Sequence, residues 1–136
     1  MAAIHHIRLS VSDLDTATRF YSPLLAALGF RKLSPRLTEQ GAIDRLRFKK
    51  DGMILLIGHT TEAGRHERGK PGLHHLAFSV DSRAEVERIY EEVIKNLEHV
   101  AVEDPPIDCP EYGEGYYATF FFDPDGIKLE VTYTPE

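Results

Sequence analysis

The chain carries a single cysteine, Cys109, and no tryptophan. One thiol excludes an internal disulfide framework and fits a reducing compartment, so a cytoplasmic location is expected. Long apolar runs are missing as well: nothing approaches the roughly 20 consecutive residues that cross a bilayer as a helix. The opening segment MAAIHHIRLSV passes straight into a strand-like pattern, without the layout of a secretory signal. There is no basic excess. The formal net charge is −6 with the acids scattered, whereas nucleic-acid binding calls for a basic stripe. Neither a membrane nor a nucleic acid is therefore an expected partner. What remains is ordinary globular material, 42% hydrophobic and 28% charged over 136 residues, which suits a single domain.

The most informative feature is a repeat. IHHIRLSVSD at residues 4–13 returns as LHHLAFSVDS at residues 73–82, an offset of 69. The same offset carries Tyr21 onto Tyr90 and Leu28 onto Leu97, within two segments of helical spacing. The first segment, DTATRFYSPLLAAL, places Ala17, Phe20, Tyr21, Leu24, Leu25 and Leu28 on one face. Asp13 or Asp15 is its expected N-cap, Gly29 its stop, and Pro23 predicts a kink or irregular turn. The second, SRAEVERIYEEVIKNL, repeats the pattern with Val86, Ile89, Tyr90, Val93, Ile94 and Leu97 behind a Ser82 cap.

Short β-type runs follow each helix, at about 29–35, 43–50 and 53–59, then at about 99–103, 115–122 and 127–133. Each half holds an Asp-Gly hairpin signal, Asp51-Gly52 and Asp125-Gly126. Strand, helix and three strands thus occur twice. This predicts an α+β fold of two tandem βαβββ modules, about 1–60 and about 72–136, forming a curved mixed sheet around a crevice. The charged, glycine-containing stretch EAGRHERGKPG at 62–72 is read as a solvated linker, with a mobile flap over an anionic substrate as the alternative.

Side chains alternate across a strand, and parity separates the histidines of each pair. His5, Ile7, Leu9 and Val11 share an apolar face, as do His74, Leu76, Phe78 and Val80. The polar reverse sides carry His6, Arg8 and Ser10 in the first copy and His75 and Ser79 in the second. In the final strand Ile127, Leu129, Val131 and Tyr133 are core-like, leaving Lys128, Glu130, Thr132 and Thr134 opposite. His6, His75 and Glu130 therefore form a candidate metal set. Two neutral nitrogens and one carboxylate suit zinc, manganese, iron(II), nickel or cobalt, and three protein ligands leave positions open for water and substrate. His5 and His74 are read as surface or hydrogen-bonded residues.

The motifs HHIRLSVSDLDTATRFY with LGF, GLHHLAFSV and FFDPDGIKLEV resemble the vicinal oxygen chelate superfamily over nearly the whole chain. That superfamily includes glyoxalase I, fosfomycin-resistance thiol transferases, extradiol dioxygenases and bleomycin-resistance proteins. The resemblance implies that His6, His75 and Glu130 ligate one divalent metal cupped by the two modules. It implies a lyase, thiol transferase or dioxygenase acting on a small oxygenated molecule, with Glu130 at the reacting centre. It also implies a homodimer in which modules pair within one chain or swap between two.

Departures narrow the choice. Aligning the two Asp-Gly signals sets GMILLI against GIKLEV, so Leu56 occupies the place of Glu130. Leucine cannot supply the fourth ligand usual in glyoxalase I. Ala118 and Phe120 stand where fosfomycin-resistance enzymes place small hydroxyls and a tyrosine. Bleomycin-binding relatives lack the metal ligands, yet a ligand-sequestering protein without turnover is the second functional expectation.

Around the site, Arg8 is a candidate clamp for a carboxylate or phosphate, or else a partner for an acidic side chain. Ser10, Tyr112, Tyr116, Tyr117 and Phe120 are candidate substrate contacts. The stretch DPPIDCPEYGEGYY at 104–117 is expected to border the crevice as a loop, with Cys109 an ordinary residue in it.

Overall fold

A computed structural model describes residues 1–135, and the chain divides into two units, Met1–Gly64 and the residues from Arg65 onward. The first unit runs β1 (His6–Val11), α1 (Leu14–Ala27), β2 (Arg31–Lys32), β3 (Arg36–Leu37), β4 (Ile43–Lys50) and β5 (Met53–His59). Its sheet has the order β1-β5-β4-β2, with β3 also on β4, and β1 runs parallel to β5.

Helix α1 begins where Asp13 accepts the Thr16 backbone N–H at 2.8 Å, satisfying one of the free donors of the first turn. Ala17, Phe20, Tyr21, Leu24 and Leu25 are its buried residues, the i, i+3, i+4 spacing of a core-facing stripe. The helix runs unbroken through Pro23, which lies on the exposed side. It stops in a Schellman arrangement. Gly29 N–H donates to Ala26 O, Phe30 N–H donates to Leu25 O, and Gly29 takes φ +87°. The β4–β5 hairpin turns on Asp51 and Gly52, both at positive φ, as a type I′ turn demands.

The second unit runs β6 (Leu76–Ser79), α2 (Arg83–Glu92), a 3-10 turn (Ile94–Asn96), β7 (Ala101–Asp108), a second 3-10 turn (Pro110–Tyr112), β8 (Tyr117–Phe122) and β9 (Lys128–Tyr133). The sheet order is β6-β9-β8-β7, with β6 parallel to β9. The connectivity therefore repeats that of the first unit. Ser82 caps α2 through the Glu85 backbone N–H at 3.1 Å.

The structure corrects three local expectations and adds contacts to a fourth. The second helix ends at Glu92 instead of Leu97, although Ile94 and Leu97 still reach the core from the 3-10 turn and the residue after it. Residues 104–108, expected as loop, continue β7; its place at the sheet edge tolerates Pro105 and Pro106, which cannot donate to a ladder. Asp125-Gly126 is not a two-residue hairpin. It belongs to a longer connection in which the Asp123 carboxylate accepts the N–H groups of Asp125 and Ile127 at 2.9 and 2.8 Å. Finally, part of the 62–72 stretch packs on that same connection. His66 N–H donates to Asp125 O, Arg65 reaches Pro124 O, and Arg68 lies over the Phe122 ring.

Candidate functional site

Strand β9 lies between β6 and β8, so both of its edges are paired. Leu129 and Val131 belong to the core, together with Phe121 of β8. Glu130 and Thr132 point the other way, paired with Phe120 and Ala118, and both are buried as well. Glu130 is 3% exposed. A carboxylate so far from water needs partners. The Tyr116 hydroxyl donates to its Oε2, and His75 Nε2 stands 3.5 Å from its Oε1. Burial, then the bond to Glu130, pushes the Tyr116 phenol up to about 12, so it remains a donor throughout the neutral range.

His75 precedes β6 and is fixed by its neighbour. His75 Nδ1 is 2.8 Å from His74 Nδ1, and the two rings meet edge to face. One of those nitrogens must carry the proton. His74 is held below the ordinary imidazole value, first by desolvation and then by the neighbouring His75, which favours its neutral, accepting form. On the other side of its ring, His75 Nε2 faces Glu130 Oε1. The first unit repeats the device: His5 Nδ1 lies 2.9 Å from His6 Nδ1. His5 and His74, read from sequence as surface or hydrogen-bonded residues, are exposed and hydrogen-bonded to His6 and His75.

His75 and Glu130 fit a divalent cation. Two ligands at roughly 2.1 Å in a tetrahedral shell stand about 3.4 Å apart, close to the spacing of Nε2 and Oε1. Within neither unit do three histidine, cysteine, aspartate or glutamate side chains, among the described residues, gather closely enough to hold a metal by themselves. His6 belongs to the first unit, His75 and Glu130 to the second.

In the first unit His6 lines a cavity of about 260 Å³ with His5, Arg36, Arg45, Arg47, Ile54 and Leu56. Register places Leu56 where the sequence alignment put it. Leu56 pairs with Arg8, and Glu130 pairs with Ala77, the residue equivalent to Arg8 in the repeat. Arg8 itself lies across β5 at Gly58, where an added Cβ would come within 2.5 Å of Arg8 Nη2. Gly58→Ala is therefore expected to turn the guanidinium off the strand. The cost in stability should be small, under about 1 kcal/mol, because the side chain is long and flexible. A crystal structure of the variant with Arg8 unmoved would contradict this.

The remaining candidates separate. Ser10 is exposed and pairs with Gly58. Phe120 packs with Cys109, Ala118 and Tyr116 on the Glu130 face, and Tyr112, 65% exposed, meets Tyr116 edge to face. Tyr117 faces the opposite way from Glu130: its hydroxyl donates to Glu87 of α2 and its ring underlies Arg83. Cys109 is buried, and desolvation raises its thiol above the ordinary value, which suppresses the thiolate.

Comparison with known proteins agrees with this architecture. The model of the Glyoxalase/Bleomycin resistance protein/Dioxygenase superfamily matches residues 3–131. The chain is 33% identical to the uncharacterized protein YqjT of Bacillus subtilis over 131 residues, covering 94% of this chain and 96% of the relative. It is 30% identical to the metallothiol transferase FosB of Staphylococcus epidermidis over 140 residues, covering 96% of this chain and 81% of that one. The solved structure of a glyoxalase family protein from Enterococcus faecalis superposes with a TM-score of 0.68 at 29% identity, covering 96% of each chain. With the repeated βαβββ topology and a family match over nearly its full length, the chain belongs to the glyoxalase/bleomycin resistance protein/dioxygenase superfamily.

Proposed function

We propose that this protein is a metal-dependent enzyme acting on a small oxygenated substrate, with His75, Glu130 and His6 as the protein ligands of a divalent cation. The observation that carries the reading is the pairing of a buried carboxylate with an imidazole whose other nitrogen is already committed. Hydrogen-bonded second partners of this kind fix ligand orientation in metal sites. When bound, the cation supplies Lewis acidity toward the substrate's oxygen atoms.

The chain's own groups do the rest. Glu130 contributes the single anionic ligand, and Tyr116 holds one of its oxygens so that the other is aimed at His75. Phe120, Ala118 and Cys109 keep that side of Glu130 dry. Arg8, lodged over Gly58, orients an anionic group of the substrate. His6 completes the ligand set from the same chain or, in a homodimer, from a second copy. A monomeric mass by sedimentation at full metal occupancy would refute the version shared between two copies. Thiol transfer, the chemistry in the name of the staphylococcal relative, is the first activity to assay.

Cobalt(II) titration followed by absorption and elemental analysis tests the reading. One equivalent per chain is expected for the protein, and a loss of about 100-fold or more in affinity for His75→Ala. Tyr116→Phe should weaken binding by about tenfold, the scale of an outer-shell partner, without removing the site. Unchanged cobalt affinity in His75→Ala would sink the proposal.

A further inference from the structure

The two units share one topology, so each face position in one has a counterpart in the other; Lys128 of the second unit answers to Ile54, while at the other positions below, the first unit is the more basic. Leu56 of β5 stands in for Glu130 of β9. Arg8 stands in for Ala77, Arg47 for Phe120, Arg45 for Ala118 and Arg36 for Ile107, each read from its strand-pairing partner. The copy without the carboxylate carries four guanidinium groups, all on the face opposite the buried Leu46, Phe48, Leu55 and Ile57. Three of these arginines, with His5 and His6, line the 260 Å³ cavity, whose floor is Ile54 and Leu56.

We propose that this cavity is the subsite for an organic oxyanion: a carboxylate, phosphonate or phosphate group carried on an apolar body. The inference deepens the proposed function and rests on it for the reacting end of the substrate. Arg47 donates to Ser34 O at 3.2 Å, which anchors its guanidinium and leaves other N–H groups for a ligand. Arg45 is held by Asp44 at 2.7 Å, so one of the cations is already partly neutralised. Arg36 and Arg47 therefore carry most of the binding, in a fork geometry matched to paired oxygens. Ile54 and Leu56 receive the apolar part, where a glutamate in place of Leu56 would repel the anion.

Titration of phenylphosphonate, benzoate and uncharged benzyl alcohol into the metal-free protein, followed by amide shifts, tests the subsite. Both anions are expected to bind at least tenfold more tightly than benzyl alcohol, more weakly as salt rises, and the tighter of the two names the source of the oxyanion. The double variant Arg36→Gln/Arg47→Gln should lose at least tenfold in anion affinity while keeping the cobalt affinity of the parent. Arg36→Gln alone, on an exposed two-residue strand, should give an intermediate loss and controls for misfolding. Benzyl alcohol binding as tightly as the anions, or unchanged affinity in the folded double variant, would overturn the proposal. Because the titration is metal-free, lost cobalt binding sinks the metal reading alone, and lost anion binding with cobalt retained sinks the subsite alone.

Discussion

Glu130→Gln is expected to abolish metal-induced stabilisation while leaving the metal-free protein at least as stable as the parent. The two effects have one cause. Glu130 is 3% exposed and shares its carboxylate between the Tyr116 hydroxyl and the edge of His75. Without a cation that arrangement buries an anion with incomplete compensation, and a neutral amide of the same shape removes the desolvation penalty. With a cation, glutamine loses the anionic oxygen that hard and borderline metals require, and affinity should fall by about 100-fold or more. A ligand that binds only the folded state adds about 2.7 kcal/mol at a hundred times its dissociation constant. Thermal unfolding with and without excess cobalt should therefore show a large upward shift for the parent and almost none for the variant. An equal shift in both would mean that the cation binds elsewhere.

Phe121→Ala should act on the opposite side of the same strands and produce the opposite pattern. Phe121 is fully buried beside Leu129, one residue from Phe120 on β8 but on the other face. Truncating a buried phenylalanine costs about 3–5 kcal/mol through lost transfer energy and the cavity left behind. That is a large share of a typical total of about 5–15 kcal/mol. A fall of about 10–15 °C in the unfolding midpoint is expected, with faster amide exchange in β8 and β9. Cobalt affinity measured well below the midpoint should stay within about threefold of the parent, because Glu130 and His75 keep their supports. A stability change below about 1 kcal/mol would contradict the burial argument, and a hundredfold loss of cobalt affinity would contradict the separation of faces.

The duplication was legible because each layer of sequence signal agreed with the next. The 69-residue offset, the apolar stripe of α1 and the Asp51-Gly52 turn all reflect local chemistry that holds in any surroundings. Leu56 as the counterpart of Glu130 was equally readable, since register along paired strands preserves parity. The early end of α2 and the extension of β7 through Pro105 and Pro106 were not readable. Whether a proline-bearing segment becomes an edge strand depends on the neighbour that offers it a ladder, and composition does not name that neighbour.

The candidate site divides along the same line. Sequence by itself determined that Glu130 falls on the polar side of its strand, because alternation is a property of the strand alone, whereas His75 stands just before β6. Only the tertiary structure decided what those side chains meet: Tyr116 on Glu130, His74 on His75, Tyr117 turned away toward Glu87, and Arg8 laid over Gly58. Each of these contacts joins side chains whose relation is set by packing and rotamer choice, where spacing along the chain carries no information. The arginines of the first unit show the difference most plainly. Arg36, Arg45 and Arg47 are scattered basic residues in the sequence, and the pairing of β3 with β4 and of β4 with β5 turns them into one wall of a cavity.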